Sequence, residues 1–219
     1  MTGHRYLKLA MAILLILPVL CSRAGALEIP VAVFSKGDVS GWEEKVFAGN
    51  TVYRVAQAEG RNAMGAAADG AASGFFKKVS IDLRQTPYLH WSWLVRDVFH
   101  GNDERSKQGD DFPARVYVVV SGGVFFWRTR ALNFVWSSHQ AVGQAWPNPF
   151  TGNAIMVAVD AGTDHLGQWR EHKIDVRQAL RQHFGKDIAS IDAVAIMTDA
   201  DNHGGKAQAY YGDIYFSDN

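Results

Sequence analysis

The sequence predicts an all-β fold, an antiparallel β-sandwich with one short crossover helix. Two observations carry that expectation: most apolar stretches alternate with a period of two residues, and glycine-rich connections separate them. The composition is that of a globular chain, with 219 residues of which 47% are hydrophobic, 12% aromatic and 20% charged, and this excludes fibrous and disordered classes. Basic and acidic residues balance at 22 each. No cationic surplus exists to neutralise phosphates, so nucleic acid is not an expected partner.

The first 26 residues read as an export signal. His4, Arg5 and Lys8 make a positive start, Leu9 to Cys21 is apolar, and Ala24-Gly25-Ala26 supplies the small residues of a cleavage site. That apolar run is shorter than the ~20 residues needed to span a bilayer. The expectation is cleavage near Ala26, a periplasmic or secreted mature chain, and a single domain over residues 27–219 with no membrane span. Cys21 is the only cysteine and leaves with the leader. Leu20 just before it is too bulky for lipid attachment. The mature chain therefore has no disulfide, cysteine nucleophile or thiolate ligand, and its stability rests on its core.

The elements follow in order. Ile29–Phe34, Thr51–Gln57 and Phe75–Leu83 read as strands. Leu89, Trp91, Trp93 and Val95 share one face of the next strand, with His90, Ser92 and Arg96 on the other. Val116, Val118 and Val120 alternate against Arg115 and Tyr117. Further strands are expected at Ala131–Ser137, Ile155–Val159, Gln168–Ile174, Val194–Ile196, and Tyr211–Phe216, where Tyr211, Asp213 and Tyr215 oppose Ile214 and Phe216. One helix is expected after Asp175: Asp175 caps it with Gln178 three residues on, Val176, Leu180 and Phe184 share a face, and Gly185 ends it.

Common catalytic signatures are missing. Ser73 sits in Ala71-Ala72-Ser73-Gly74 rather than in a nucleophile elbow, and neither a phosphate loop nor a dinucleotide fingerprint occurs. His90, His100, His139, His165, His172, His183 and His203 never pair at metal-ligand spacing.

Function is expected in two long connections, Phe99 to Pro113 and Ser138 to Asn153, each beyond the ~12 residues at which unstructured loops become uncommon. If the strands flanking them run alternately up and down, both loops emerge at one end of the sandwich and build one site. Asp110 and Asp111 close the first loop and Arg115 follows, a set that either binds sugar hydroxyls or pins the loop to the strand. Trp136, and Trp146 in the second loop, offer flat rings for a pyranose face, while Asn133 and Asn148 can read its hydroxyls. In a third segment, Asp199, Asp201 and Asn202 space oxygens as the start of a calcium loop does, with Asp213 as a distant ligand. A hairpin turn rich in Asp, Asn and Gly accounts for that segment equally well.

Several motifs together resemble a bacterial exported family known as domain of unknown function 3047. They are the run from Gly109 to Val118, the pair Asn133 and Trp136, Trp146-Pro147-Asn148, Ile196 to Asn202, and Tyr211-Gly212-Asp213-Ile214. An early strand ending in Phe34, then Gly41-Trp42, and a terminal Gly212 to Phe216 strand are similar to jelly-roll carbohydrate-binding modules. This second resemblance implies a jelly roll of galactose-binding-like type and a structural calcium between first and last strands, although Ser35 stands where such modules commonly carry an acid. The reading is non-catalytic binding of a glycan or similar polar ligand by Asp110, Asp111, Arg115, Asn133, Trp136, Trp146 and Asn148. The rivals are a polysaccharide lyase or hydrolase using Asp110, Asp111, Arg115, Tyr117 and His139, and a structural envelope protein with a protein partner.

Overall fold

A computed structural model of the protein describes residues 26–124 and 128–219. The expected leader, residues 1–26, lies outside the described residues apart from Ala26. Among the described residues, no helix is long and apolar enough to cross a membrane.

The chain forms strands β1 (Glu28–Ala32), β2 (Trp42–Ala48), β3 (Val52–Ala58), β4 (Arg61–Asp69), β5 (Ala72–Asp82), β6 (Tyr88–Val95) and β7 (Ala114–Val120). There follow β8 (Arg130–Ser137), β9 (Ala145–Asn148), β10 (Thr151–Ala161), β11 (Arg170–Asp175), helix α1 (Val176–Phe184), β12 (Ser190–Asp199), β13 (Lys206–Tyr211) and β14 (Ile214–Ser217). They build two facing sheets, a β-sandwich of jelly-roll type. The first runs β1-β14-β6-β13-β4-β3 with β11 on the far edge of β6; the second runs β2-β5-β12-β7-β8-β10-β9.

The core lies between the sheets, where inward residues of both interdigitate. Trp91 and Trp93 of the first sheet meet Phe134 and Trp136 of the second, with ring centroids 5.4 Å apart for Trp91–Phe134 and 6.3 Å for Trp93–Trp136. Helix α1 crosses from the first sheet to the second and adds Val176 and Leu180 to this core. It starts and stops as its sequence dictates: Asp175 accepts the Gln178 N–H at 2.8 Å, and Gly185 ends it at φ 65°.

Four expectations need correction. β8 and β10 run parallel, because β9 inserts an extra reversal inside what reads as one long loop. The Ala- and Gly-rich β4 does not look like a strand, since alanine and glycine have little β-propensity, yet it pairs on both sides, with β13 and with the edge strand β3. The solvent-facing edge strand β2 was hidden because most of its residues are exposed. The last strand is two strands broken at Gly212, so parity flips there, and Tyr211 is buried with Ile214 and Phe216 rather than opposed to them.

Candidate functional site

Both long connections reach one rim, at the start of β7 and the end of β8, which pair through Ala114 and Trp136. They are tied to each other there. Asn148 Nδ2 donates to Asp110 Oδ2 at 2.9 Å, His139 Nε2 lies 2.9 Å from Asn102 Oδ1, and Arg105 donates to Gln140 and Gln144. Glu104, fully buried, accepts from Ser137 and Ser138.

Beneath this rim lies a buried charge network. Arg115 is on the outward face of β7, and its Nε donates to Asp199 Oδ1 at 2.8 Å while Nη2 bonds Asp199 Oδ2 and the Asp110 carbonyl. Its Nη1 is 3.7 Å from Asp110 Oδ2, and the guanidinium lies over the Phe112 ring. Asp111 turns the other way: it accepts from the backbone N–H groups of Asn202, His203 and Gly204 and from the Asn202 amide. It thus serves as the anion that holds the 200–205 turn. Gly109 is required just before this pair, because a Cβ there would sit 2.4 Å from the Asp103 carbonyl oxygen.

Burial sets the electrostatics. It pushes the Asp199 carboxyl well above its ordinary range, against the pull of Arg115 and with Asp111 and Asp110 adding to the rise. Asp110 is raised for the same first reason, opposed by Arg115 and the Asn148 hydrogen bond. Asp201 is raised by burial and by the Asp111 charge.

The outer face of the second sheet opens into a cleft of about 370 Å³ over this network. Asp110, Asn133, Asn148, Asp199, Asp201 and Asn202 supply polar lining. Tyr117, Phe47 and Phe150 supply rings. Phe47 comes from β2 and Phe150 from the turn between β9 and β10, at opposite edges of the sheet, and they are 60% and 54% exposed. A second cleft of about 520 Å³ shares Phe47, Tyr117 and Met197 with the first, so the two form one groove.

The sequence-derived residues fare unequally. Asp110, Arg115, Asn133 and Asn148 meet in the cleft. Asp111 lies behind it as an anchor. Trp136 and Trp146 are corrections: they are 0% and 3% exposed, Trp136 in the main core and Trp146 stacked on Phe112 in a small cluster with Val135, Met156 and Ala158. No sugar ring can reach them. An indole in a polar-looking loop was buried because β9 turns that loop into an edge strand. Phe47 and Phe150 were missed, although Phe47 follows Glu43 and Lys45 at period two, an aromatic on a polar face.

The calcium expectation also changes. Asp111, Asp199 and Asp201 each present a ligand atom within 4.8 Å of the others. Asp111 and Asp199 have their oxygens engaged by N–H donors, and the Asn202 amide donates to Asp111 and Asp201. Asp213 is elsewhere: its carboxylate accepts from Ser35 N at 2.8 Å and Ser35 Oγ at 2.6 Å, on a different cavity of the first sheet. A hard cation needing six to eight oxygens does not fit this donor set as it stands.

The protein of unknown function family DUF3047 matches residues 40–215. The chain belongs to that family. No curated protein matches it. Among solved structures, the DUF3047 chain is similar to the family 30 carbohydrate-binding module of a Clostridium thermocellum cellulosomal cellulase, at 11% identity and TM-score 0.47 over 87% of this chain and 96% of that one. It is similar also to the family 11 module from the same organism bound to a β-1,3-1,4-mixed-linked tetrasaccharide, at 11% identity and TM-score 0.45 over 88% and 96%. A third likeness is the bacteriophage CBA120 tailspike protein 4, at 10% identity and TM-score 0.40 over 84% of this chain and 20% of that one.

Proposed function

We propose that the protein binds an oligosaccharide, without chemistry, in the groove on the outer face of the second sheet. The observation that carries this reading is the pair of exposed rings, Phe47 and Phe150, bounding a largely apolar cleft into which a few amides and carboxylates are set. A pyranose has apolar C–H faces that stack on such rings and hydroxyls that both donate and accept. Asn133 and Asn148 meet either role, and Asp110 and Asp201 accept. We assign the activity to the periplasm or the cell exterior on the leader-like pattern of residues 1–26.

Isothermal titration of the protein against a panel of soluble polysaccharides and oligosaccharides tests the reading. Wild type binds at least one glycan, and Phe150→Ala lowers that affinity about tenfold or more, the worth of a lost stacking contact, with its melting temperature unchanged. Silence across the panel, or equal affinity in Phe150→Ala, contradicts it.

One observation favours a catalytic alternative: the raised Asp110 carboxyl shares the cleft with Arg115 and Tyr117, and an upward shift moves a carboxyl toward the range in which general acids work. Asp111 has no part in it, being occupied by the 200–205 turn. Reducing ends or unsaturated products released from the panel by wild type, and lost in Asp110→Asn, decide for that alternative.

A further inference from the structure

We propose that the acidic end of the groove recognises a primary ammonium, so that its saccharide is an amino sugar carrying a free amine; this rests on the oligosaccharide reading above. Among the described residues, two buried acceptor oxygens have no hydrogen-bond partner, Asp110 Oδ1 and Asn133 Oδ1. Both residues are more than nine-tenths buried, and both line the same cleft. A buried acceptor without a donor is costly, so a ligand that fits here must bring donors. Asp201 is a third acceptor at this end, with a single side-chain hydrogen bond from Asn202 to one of its oxygens.

Charge then selects among donors. Asp110, Asp199 and Asp201 line this end against the single cation Arg115, and Arg115 is committed to Asp199 through two side-chain bonds while standing 3.7 Å from Asp110. The adjoining section of the groove has the opposite balance, with Lys45 and Lys78 against Asp192. A sugar hydroxyl would supply one donor and no charge. An ammonium supplies three donors and the missing positive charge. Burial raises both the Asp110 and Asp201 carboxyls, and a bound ammonium would draw them back down.

The test is calorimetric titration of the protein with a glucosamine tetramer, the N-acetylglucosamine tetramer, cellotetraose, spermidine and calcium chloride alone. The glucosamine tetramer binds about tenfold or more tightly than either neutral tetramer, as one charge-assisted hydrogen bond would give. That margin shrinks as salt is raised and disappears in the Asp110→Asn, Asp201→Asn double variant. Asp201→Asn alone, at a more exposed position, gives a partial loss and keeps the test decisive if the double variant does not fold. Equal affinity for all three tetramers overturns the ammonium proposal and leaves the groove standing. No binding of any tetramer or of any glycan in the broader panel removes the groove reading and this inference with it. Spermidine binding as tightly as the glucosamine tetramer, or calcium raising the melting temperature of wild type but not of Asp201→Asn, overturns it too.

Discussion

Asp110 and Asp111 are neighbours in the chain and opposites in the fold. Asp111 points inward and has its oxygens held by the amides of residues 202–204. Asp110 faces the cleft and keeps one buried oxygen without a partner. The comparison teaches how to separate scaffold from site in a cluster of like charges. A buried carboxylate with its donors in place holds a turn, whereas one left short of donors is where we propose that a ligand binds. Arg115 joins the two regions, paired closely with Asp199 on the scaffold side and loosely with Asp110 on the cleft side.

The strongest way to break the scaffold half is Arg115→Met. It leaves the buried Asp199 carboxyl without its partner, and chemical denaturation should show a loss of about 3–5 kcal/mol, the usual cost of removing one partner of a buried pair. A loss below about 1 kcal/mol would mean that the network is not what holds the rim. Gly109→Ala comes next. The added methyl meets the Asp103 backbone, and overpacking of this kind costs about 1–3 kcal/mol, read as an earlier denaturation midpoint.

Asp110→Asn sharpens the other half, through pH rather than size. The folded protein raises the Asp110 pKa above 3.8. An acid raised on folding contributes stability that is fully present below its unfolded pKa and is lost as pH rises through the folded value. Relative to wild type, Asp110→Asn should therefore gain stability as pH rises from 3.8 through the folded Asp110 value and level off beyond it, seen as a flatter plot of melting temperature against pH over that range. Parallel plots for the two proteins would show that Asp110 is not held out of its ordinary range.

Much of the fold was legible because burial on one face imposes period two. Trp91 and Trp93, and Val116 and Val118, lie inward as their alternation demands, and the α1 cap follows from Asp175, Gln178 and Gly185. What was not legible depends on partners distant in sequence. Nothing local shows that Asp111 will meet a turn 91 residues away, that β9 will sink Trp146 under Phe112, or that Asp213 will close on Ser35. The candidate site was half visible: Asp110 and Asn148 lie in the two long connections and Arg115 and Asn133 on the strands beside them, while Phe47 sits on a strand whose exposure concealed it and Phe150 in a turn that marks only a reversal. Only the beginning of the second connection keeps to the expected rim: β10 runs parallel to β8, so the connection crosses the sheet and its Asn148 end lies toward the start of β8.

The most direct measurement is a backbone and side-chain amide NMR titration with the tightest glycan from the panel. Binding in the groove predicts that the largest shifts fall at Asn133, Asn148 and Phe150, while the first-sheet cavity around His90, Trp169 and Tyr215 stays unchanged. Shifts concentrated at His90, Trp169 and Tyr215, with the second sheet silent, would contradict it.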